Sequence, residues 1–201
     1  MSAPRREPMG DGAVRWRRDP ARDARRLLDA LRAYPGVIDA VVTEEHALVT
    51  FDPSRPIEAP WEIESAVPRE PVSTGVREHV VRARYDGPDL DAIAAHAKTD
   101  RATIVTLHAS RTYVVRLVGF LPGFAYLGPV APELSIPRRA TPRPRVDAGS
   151  IALAGGYTGI YPLASPGGWH LIGRAIDCVA FDAETGARFG LGDRVRFEAA
   201  P

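Results

Sequence analysis

The sequence predicts an α+β protein in which a small α/β domain precedes a small β-barrel. Apolar residues recur at helical spacing only before residue 109 of the 201-residue chain, whereas short β-like runs separated by Gly and Pro turns continue from Tyr113 to the end. Residues 68–74 turn to Pro, Ser and charge, which is typical of a domain boundary. We therefore expect domains at 10–75 and 76–201.

The first domain is predicted to run strand, helix, strand, strand. Weak alternation over residues 12–17 indicates the first strand, and Asp19 with Pro20 is expected to cap the helix that follows. The other elements are the strands of a hairpin at 37–42 and 47–51 and a short helix near 61–66. This order is half of a ferredoxin-like split βαβ domain, and the short helix would complete it in reduced form.

The second domain is predicted to hold two short helices and then only strands. The first helix follows Pro88, and Asp100 is expected to cap the second, which places Ile104 and Leu107 inward. The predicted strands are 79–85, 113–118, 150–154, 158–161, 169–174, 178–181 and 193–197. A closed or half-closed barrel is the expected architecture.

Composition excludes several classes of function. A net charge of +1 and the lack of zinc-finger or helix-turn-helix signatures argue against nucleic-acid binding. No apolar run resembles a signal peptide or a membrane span, so a cytoplasmic location and no membrane partner are expected. The five histidines and Cys178 lack metal-ligand spacing, and we expect no metal. Lys98 is the only lysine, so a phosphate loop ending in Gly-Lys-Ser/Thr is absent.

The stretch from Val118 to Arg174 combines glycine, proline and arginine. It holds ten of the 18 glycines and eight of the 19 prolines. Its five arginines are balanced by only two acidic residues, Glu133 and Asp147. Glycine and proline together let a chain turn sharply and bring backbone close to a ligand. An anionic or carbonyl-rich ligand or partner is therefore expected at this stretch.

Two groups of side chains could form this site. In a strand, His170 and Arg174 would share a face and could bind a carboxylate or carbonyl, or be a barrel histidine and a surface arginine. The run Arg138–Arg145 has four arginines on a chain stiffened by two prolines, which suits an anion clamp as well as structural ion pairs. Four aromatic side chains among the glycines could line a pocket or fill the core: Phe120, Phe124, Tyr126 and Trp169. His108, at a predicted helix end, is expected to act as a cap.

Longer blocks resemble a known family. GFLPGFAYLG, PRRATPR, VDAGSIALAG, TGIYPLASPGGWHLIGR and the closing GDRVRF are similar to signature blocks of the allophanate hydrolase subunit 1 family, also called the KipI or PxpB family. The similarity is dense over residues 118–174 and looser over 10–108. It implies a cyclophilin-like fold for the β-barrel domain.

The resemblance also implies a function. Such proteins work with a homologous barrel protein, subunit 2 or PxpC, and with a LamB/YcsF-type third subunit in an ATP-dependent 5-oxoprolinase that forms glutamate. ATP is then used at the level of the complex, and the substrate is a small lactam or amide. On this basis His170 and Tyr161 are expected to donate or relay protons, and the expected substrate-binding residues are Arg138, Arg139, Thr158, Ser165 and Arg174.

Two other functions stay open. One relative is described as an inhibitor of a histidine kinase, and similar barrels in urea carboxylases belong to the carboxyltransferase part. The sequence also departs from the family at Gly156-Tyr157, where an amide-bearing Asn-Gln pair is expected before TGIYP. Loss of both amides removes polar groups that could contact substrate.

Overall fold

The computed structural model of the protein describes residues 6–69 and 75–201. The chain divides into two compact units, of which one ends at Gly75 and the other begins at Val76. Part of the predicted boundary segment, residues 70–74, lies outside the described residues. Within the described ranges no helix is long and apolar enough to cross a membrane.

The first unit is an antiparallel sheet with one helix. Apolar residues at helical spacing form α1 (Ala24–Arg32), which buries Leu27, Leu28 and Leu31. The strands are β1 (Arg6–Pro8), β2 (Ala13–Arg17), β3 (Val37–Val42) and β4 (His46–Phe51), in the sheet order β1-β2-β4-β3. The predicted hairpin is thus confirmed as β3 and β4.

The cap predicted for α1 is wrong. The carboxylate of Asp23 accepts the Arg26 N–H and begins the helix four residues after Asp19. The Asp19 carboxylate accepts the Ala21 N–H at 3.0 Å, in a turn before the helix. The Asp19 N–H donates to the buried carboxylate of Glu64 at 2.7 Å, which also accepts from the Trp16 indole at 3.1 Å. A buried acceptor that lies 45 residues away has no local sequence signal.

The ferredoxin-like form of the first domain is not confirmed. The strand, helix, strand, strand order is present as β2, α1, β3 and β4, but the second helix is a 3₁₀ segment, Pro60–Ala66. In residues 6–69 no strand follows that segment, and the position beside β2 at the sheet edge is taken by β1, which precedes it in the chain.

The second unit is built around a closed barrel. Its helices are α2 (Leu90–His96) and α3 (Arg101–Ala109), and Asp100 caps α3 as predicted by accepting the Thr103 N–H. Its strands are β5 (Glu78–Arg84), β6 (Thr112–Val118), β7 (Ala125–Gly128), β8 (Arg143–Val146), β9 (Ser150–Ala154), β10 (Tyr157–Ile160), β11 (Ser165–Gly167), β12 (His170–Ala175), β13 (Phe181–Asp182), β14 (Gly186–Ala187) and β15 (Arg194–Ala199).

Seven of these strands close in the order β10-β7-β6-β15-β5-β12-β9, so the α+β class with a barrel is confirmed. A parallel pair, β5 with β15, joins the first and last strands of the unit. The strand predicted at 178–181 is wrong. Only the two-residue β13 forms there, while Cys178 is buried in the core as expected.

The barrel strands bury side chains on both faces. Along β9, Ile151 and Leu153 belong to the main core, whereas Ala152 and Ala154 belong to a second cluster with Phe124, Tyr161 and Trp169. Alternation along a strand therefore separates an inner layer from an outer one. The outer layer lies beside the two-stranded ribbon of β8 and β11, whose Val146 also belongs to it.

His108 is buried in the inner layer, and the prediction that it caps a helix as a cation is wrong. Its Nε2 lies 2.8 Å from Thr158 Oγ1 and its Nδ1 lies 2.7 Å from the Tyr85 hydroxyl. Thr158 donates its own proton to the Ala152 carbonyl, so Nε2 carries the histidine proton and Nδ1 accepts from Tyr85. Complete burial lowers the pKa of His108 to about 3 and keeps the ring neutral.

Because of this histidine, we expect the free energy of unfolding to decrease as the pH is lowered below about 6.5. The unfolded chain binds a proton at the ordinary His pKa of 6.5, whereas folded His108 resists protonation down to about 3. The unfolded state therefore binds more protons in this window, which costs about 1.4 kcal/mol per pH unit. Urea unfolding from pH 5 to 7 measures the slope. A His108→Gln protein with the same slope as the natural chain would contradict this assignment.

Candidate functional site

A pocket of about 210 Å³ opens in the outer layer of the barrel. Three segments of the dense signature stretch surround it: the turn between β6 and β7, the arginine and proline run before β8, and the end of β11 with the residues after it. Its lining is aromatic and glycine-rich with one charged side chain, Arg138. The lining residues are Phe120, Phe124, Tyr126, Arg138, Pro142, Tyr161, Pro166, Gly167, Gly168 and Trp169.

Edge-to-face contacts hold the aromatic rings of the pocket together. Phe124 lies at their centre, with ring centroids 5.0 Å from Tyr126 and 5.4 Å from both Tyr161 and Trp169. Phe124 and Trp169 are buried in the second core cluster, yet both contribute surface to the pocket. The two interpretations of these aromatics, core or pocket, therefore both apply.

Phe120 stands out among these rings because it is exposed and its backbone is strained. Its φ of 77° lies in the left-handed region, and 61% of the residue is exposed. Such a conformation is unfavourable for a bulky residue and recurs at functional positions and in turns. The centroid of its ring lies 5.5 Å from that of Phe124, at the margin of the pocket.

Tyr161 places its hydroxyl group against Gly167. A Cβ on Gly167 would lie 2.2 Å from that oxygen, so only glycine permits this approach. Burial raises the pKa of the Tyr161 phenol, and a hydrogen bond from the backbone N–H of Trp169 opposes this only in part. The phenol is therefore protonated at neutral pH and can donate a hydrogen bond.

The arginine run is divided between structure and pocket. Arg139 and Arg143 both donate to Asp89, at 3.0 and 2.9 Å, and Arg145 pairs with Asp147 at 3.0 Å. Among the described residues, Arg138 alone of the four forms no ion pair or hydrogen bond, and it lines the pocket. One arginine of the run is thus available to an anion.

The predicted pairing of His170 with Arg174 does not form. A register shift in β12 between Leu171 and Gly173 puts His170 opposite Leu153 and Arg174 opposite Ser150. Leu153 and Ser150 are three residues apart on β9 and therefore face opposite sides of the sheet. His170 and Arg174, which lie opposite them, do so as well. His170 Nε2 donates to the Pro137 carbonyl at 3.0 Å, while Arg174 pairs with Asp86 at 2.9 Å.

The other predicted site residues lie outside the pocket lining. Thr158 is fully buried in the inner layer, and Ser165, on β11, is bonded to the carbonyl of Pro166. Arg139 is engaged by Asp89. Of the predicted residues, the structure therefore brings Tyr161 and Arg138 together at the pocket, with His170 holding the backbone just before Arg138.

Sequence reasoning missed Asp89, which is bonded to the arginine run from about fifty residues away. It lies next to Pro88, where the sequence pattern indicated only the start of a helix. In the described ranges, no group of three or more His, Cys, Asp or Glu side chains is placed to hold a metal ion.

Comparison with known proteins identifies the family. Residues 6–189 match the model of the carboxyltransferase domain, subdomain C and D. The chain is 40% identical over 180 residues to a 5-oxoprolinase subunit of Escherichia coli O157:H7, which covers 87% of this chain and 81% of that protein. The chain belongs to the family of the carboxyltransferase domain, subdomain C and D. The resemblance carried by the signature blocks is thereby confirmed.

Solved structures share the fold. The crystal structure of TTHA0988 is 35% identical with a TM-score of 0.82; the match covers 94% of this chain, which spans only 40% of that protein. Kluyveromyces lactis urea carboxylase matches with a TM-score of 0.78 over 98% of this chain and 22% of its own, at 17% identity. At that identity the likeness concerns the fold alone.

Proposed function

We propose that the chain is the PxpB-type subunit of an ATP-dependent 5-oxoprolinase and that its outer-layer pocket binds 5-oxo-L-proline. The observation that carries this proposal is the 40% identity with a protein named as a 5-oxoprolinase subunit across most of both chains. A pocket with one available arginine among aromatic rings adds chemical support.

The pocket suits a small ring that bears a carboxylate. At about 210 Å³ it is smaller than the roughly 300 Å³ at which sites for drug-sized ligands begin. The flat faces and edges of Phe124 and Trp169 would pack against a five-membered lactam ring. Arg138 would donate two hydrogen bonds to the carboxylate.

Tyr161 would act on the lactam carbonyl. Its protonated hydroxyl can donate a hydrogen bond to the carbonyl oxygen and stabilise the negative charge that develops there when the carbon is attacked. In the overall reaction the ring amide C–N bond breaks and water adds to the carbonyl carbon, giving glutamate. A second water cleaves ATP to ADP and phosphate.

ATP and the partner proteins belong to the proposal at the level of the complex. The chain contains no phosphate loop, so we assign nucleotide binding to the assembly with a homologous barrel subunit 2 and a LamB/YcsF-type third subunit. The test is to purify the chain with these two proteins and to measure ADP and glutamate formation with 5-oxoproline. A fully assembled complex without 5-oxoproline-dependent ATP hydrolysis would refute the proposal.

Carboxyl transfer to urea or a related amide is the second candidate. It is favoured by the family model, whose name is that of a carboxyltransferase domain. The two candidates require different partners, since carboxyl transfer needs a biotin carrier and a biotin carboxylase. Biotin-dependent carboxylation of an amide by this chain, with no glutamate formed from 5-oxoproline, would favour this second function.

Replacement of Arg138 by alanine is expected to raise the KM for 5-oxoproline by about tenfold or more. Loss of a charge-assisted hydrogen-bonding partner for a carboxylate costs about 1.5–3 kcal/mol. The matched control is Arg145→Ala, because Arg145 belongs to the same run but is exposed and paired with Asp147. Steady-state kinetics of the assembled complex measure both variants. Equal KM values for the two would remove Arg138 from the substrate site.

A further inference from the structure

Asp89 occupies the position of a helix cap but does not cap its helix. It immediately precedes α2, and aspartate is among the residues that most often accept a hydrogen bond from the first turn. No side-chain cap bond forms here. The carboxylate is buried, with 6% of the side chain exposed, and is directed to other parts of the unit.

Three N–H donors from distant segments meet at this carboxylate. Oδ1 accepts from Arg139 at 3.0 Å and from Arg143 at 2.9 Å, and Oδ2 accepts from the backbone N–H of Leu171 at 2.7 Å. One oxygen thus binds both ends of the 139–143 segment, and the other binds the start of β12.

Each of these donors lies within two residues of one that lines the pocket. Arg139 follows Arg138, Arg143 follows Pro142, and Leu171 lies two residues after Trp169. A second contact joins the same segments, since the Arg139 N–H donates to the Gly168 carbonyl at 2.8 Å. Asp89 therefore connects the segment that carries Arg138 with the segment that carries Trp169.

The hydrogen bonds to the Asp89 carboxylate are strong enough to hold these two segments in place. Burial alone would raise the pKa of Asp89, but the hydrogen bonds from Arg143 and Leu171 and the charges of both arginines outweigh it and lower the pKa. The carboxylate is therefore ionised at neutral pH, and its bonds to the guanidinium groups are charge-assisted. Holding long arginine side chains in place also removes conformational freedom that a ligand would otherwise have to restrict on binding.

We infer that Asp89 is a positioning residue of the pocket: by binding Arg139, Arg143 and Leu171 it sets Arg138, Pro142 and Trp169 for the ligand. This inference rests on the proposed function for the identity of the ligand, 5-oxo-L-proline. Asp89 itself does not line the pocket. Its effect on the ligand is therefore indirect and passes through its three donors.

The test replaces Asp89 with asparagine, which keeps the shape but loses the charge. The control is Asp91→Asn on the same helix, where the pair with Arg101 is exposed. Two readouts are taken in the full chain below the unfolding transition: the Kd for 5-oxo-L-proline by calorimetry, and the ¹⁹F resonance of Trp169 after labelling with 5-fluorotryptophan. The second readout needs no ligand, and a Trp169→Phe protein assigns it.

We expect Asp89→Asn to weaken binding by about tenfold or more and to move or broaden the Trp169 signal, while those of Trp16 and Trp61 stay in place. Asp89→Glu should recover part of the affinity. If Asp89→Asn does not fold, Arg143→Gln removes one of the two guanidinium bonds and should show the same changes at smaller amplitude.

Two results would overturn the inference. One is a lower Tm with unchanged Kd and unchanged Trp169 signal, which would make Asp89 a purely structural residue. The other is equal effects of Asp89→Asn and Asp91→Asn. If the natural chain itself does not bind 5-oxoproline, the choice of ligand fails, and the Trp169 signal still decides whether Asp89 sets the pocket.

Discussion

Replacement of Gly167 by alanine should weaken ligand binding by about 10- to 100-fold while the barrel stays folded. The added methyl would lie 2.2 Å from the Tyr161 hydroxyl oxygen and 2.8 Å from its Cζ, and a buried aromatic ring cannot move aside easily. Overpacking of this kind costs about 1–3 kcal/mol. Relief of the clash requires Tyr161 or β11 to shift, and either movement deforms the pocket.

The control for Gly167→Ala is Gly156→Ala. Gly156 is exposed, and a Cβ there would meet nothing within 4 Å, so this change tests the general effect of replacing a glycine. Calorimetric Kd values and far-UV circular dichroism of both proteins decide the question. Wild-type affinity in a folded Gly167→Ala protein would show that the contact between Tyr161 and Gly167 does not shape the site.

Replacement of His108 by alanine should cost about 3–5 kcal/mol of unfolding free energy. The ring is completely buried, so its removal leaves a cavity, and the Tyr85 hydroxyl loses its acceptor while Thr158 loses its donor. Contacts with the rings of Tyr113 and Phe197, at centroid distances of 5.3 and 4.6 Å, are lost as well. Equilibrium unfolding in urea at pH 7.5 measures the difference.

His96→Ala is the matched control for this second prediction, because His96 lies exposed in the last turn of α2. It should change stability by no more than about 0.5 kcal/mol. If the two histidine variants unfolded at the same urea concentration, the hydrogen-bonded chain from Tyr85 to Thr158 would contribute nothing measurable to stability.

Local signals predicted most of the secondary structure. Helical spacing in α1 and α2, the Asp100 cap and the β-rich runs all report interactions within a few residues, which a sequence shows directly. The short strands β7, β8 and β11 were missed. Each has only three or four residues, and each pairs with strands that lie elsewhere in the chain: β7 within the barrel, and β8 and β11 with each other.

The sequence predicted which stretch forms the candidate pocket, but not how all of its side chains are arranged. Composition pointed to the stretch that surrounds this pocket, and Arg138 and Tyr161 line it. The shared face predicted for His170 and Arg174 was wrong, because a register shift in β12 that no periodicity reveals separates them. Thr158 was predicted to bind substrate, because a sequence does not distinguish a threonine that contacts a ligand from a buried one that is hydrogen-bonded to a histidine.

The parallel pair of β5 and β15 determines how this unit can fold. Its six residue pairs, from Arg194 with Glu78 to Ala199 with Ala83, join segments more than a hundred residues apart, as does the ion pair of Arg77 with Asp193. Contacts of such high order are slow to form, because the loop-closure entropy is lost before they contribute. During synthesis, β5 and β6 must wait with unpaired edges until β15 leaves the ribosome, and in that interval the chain is most exposed to aggregation.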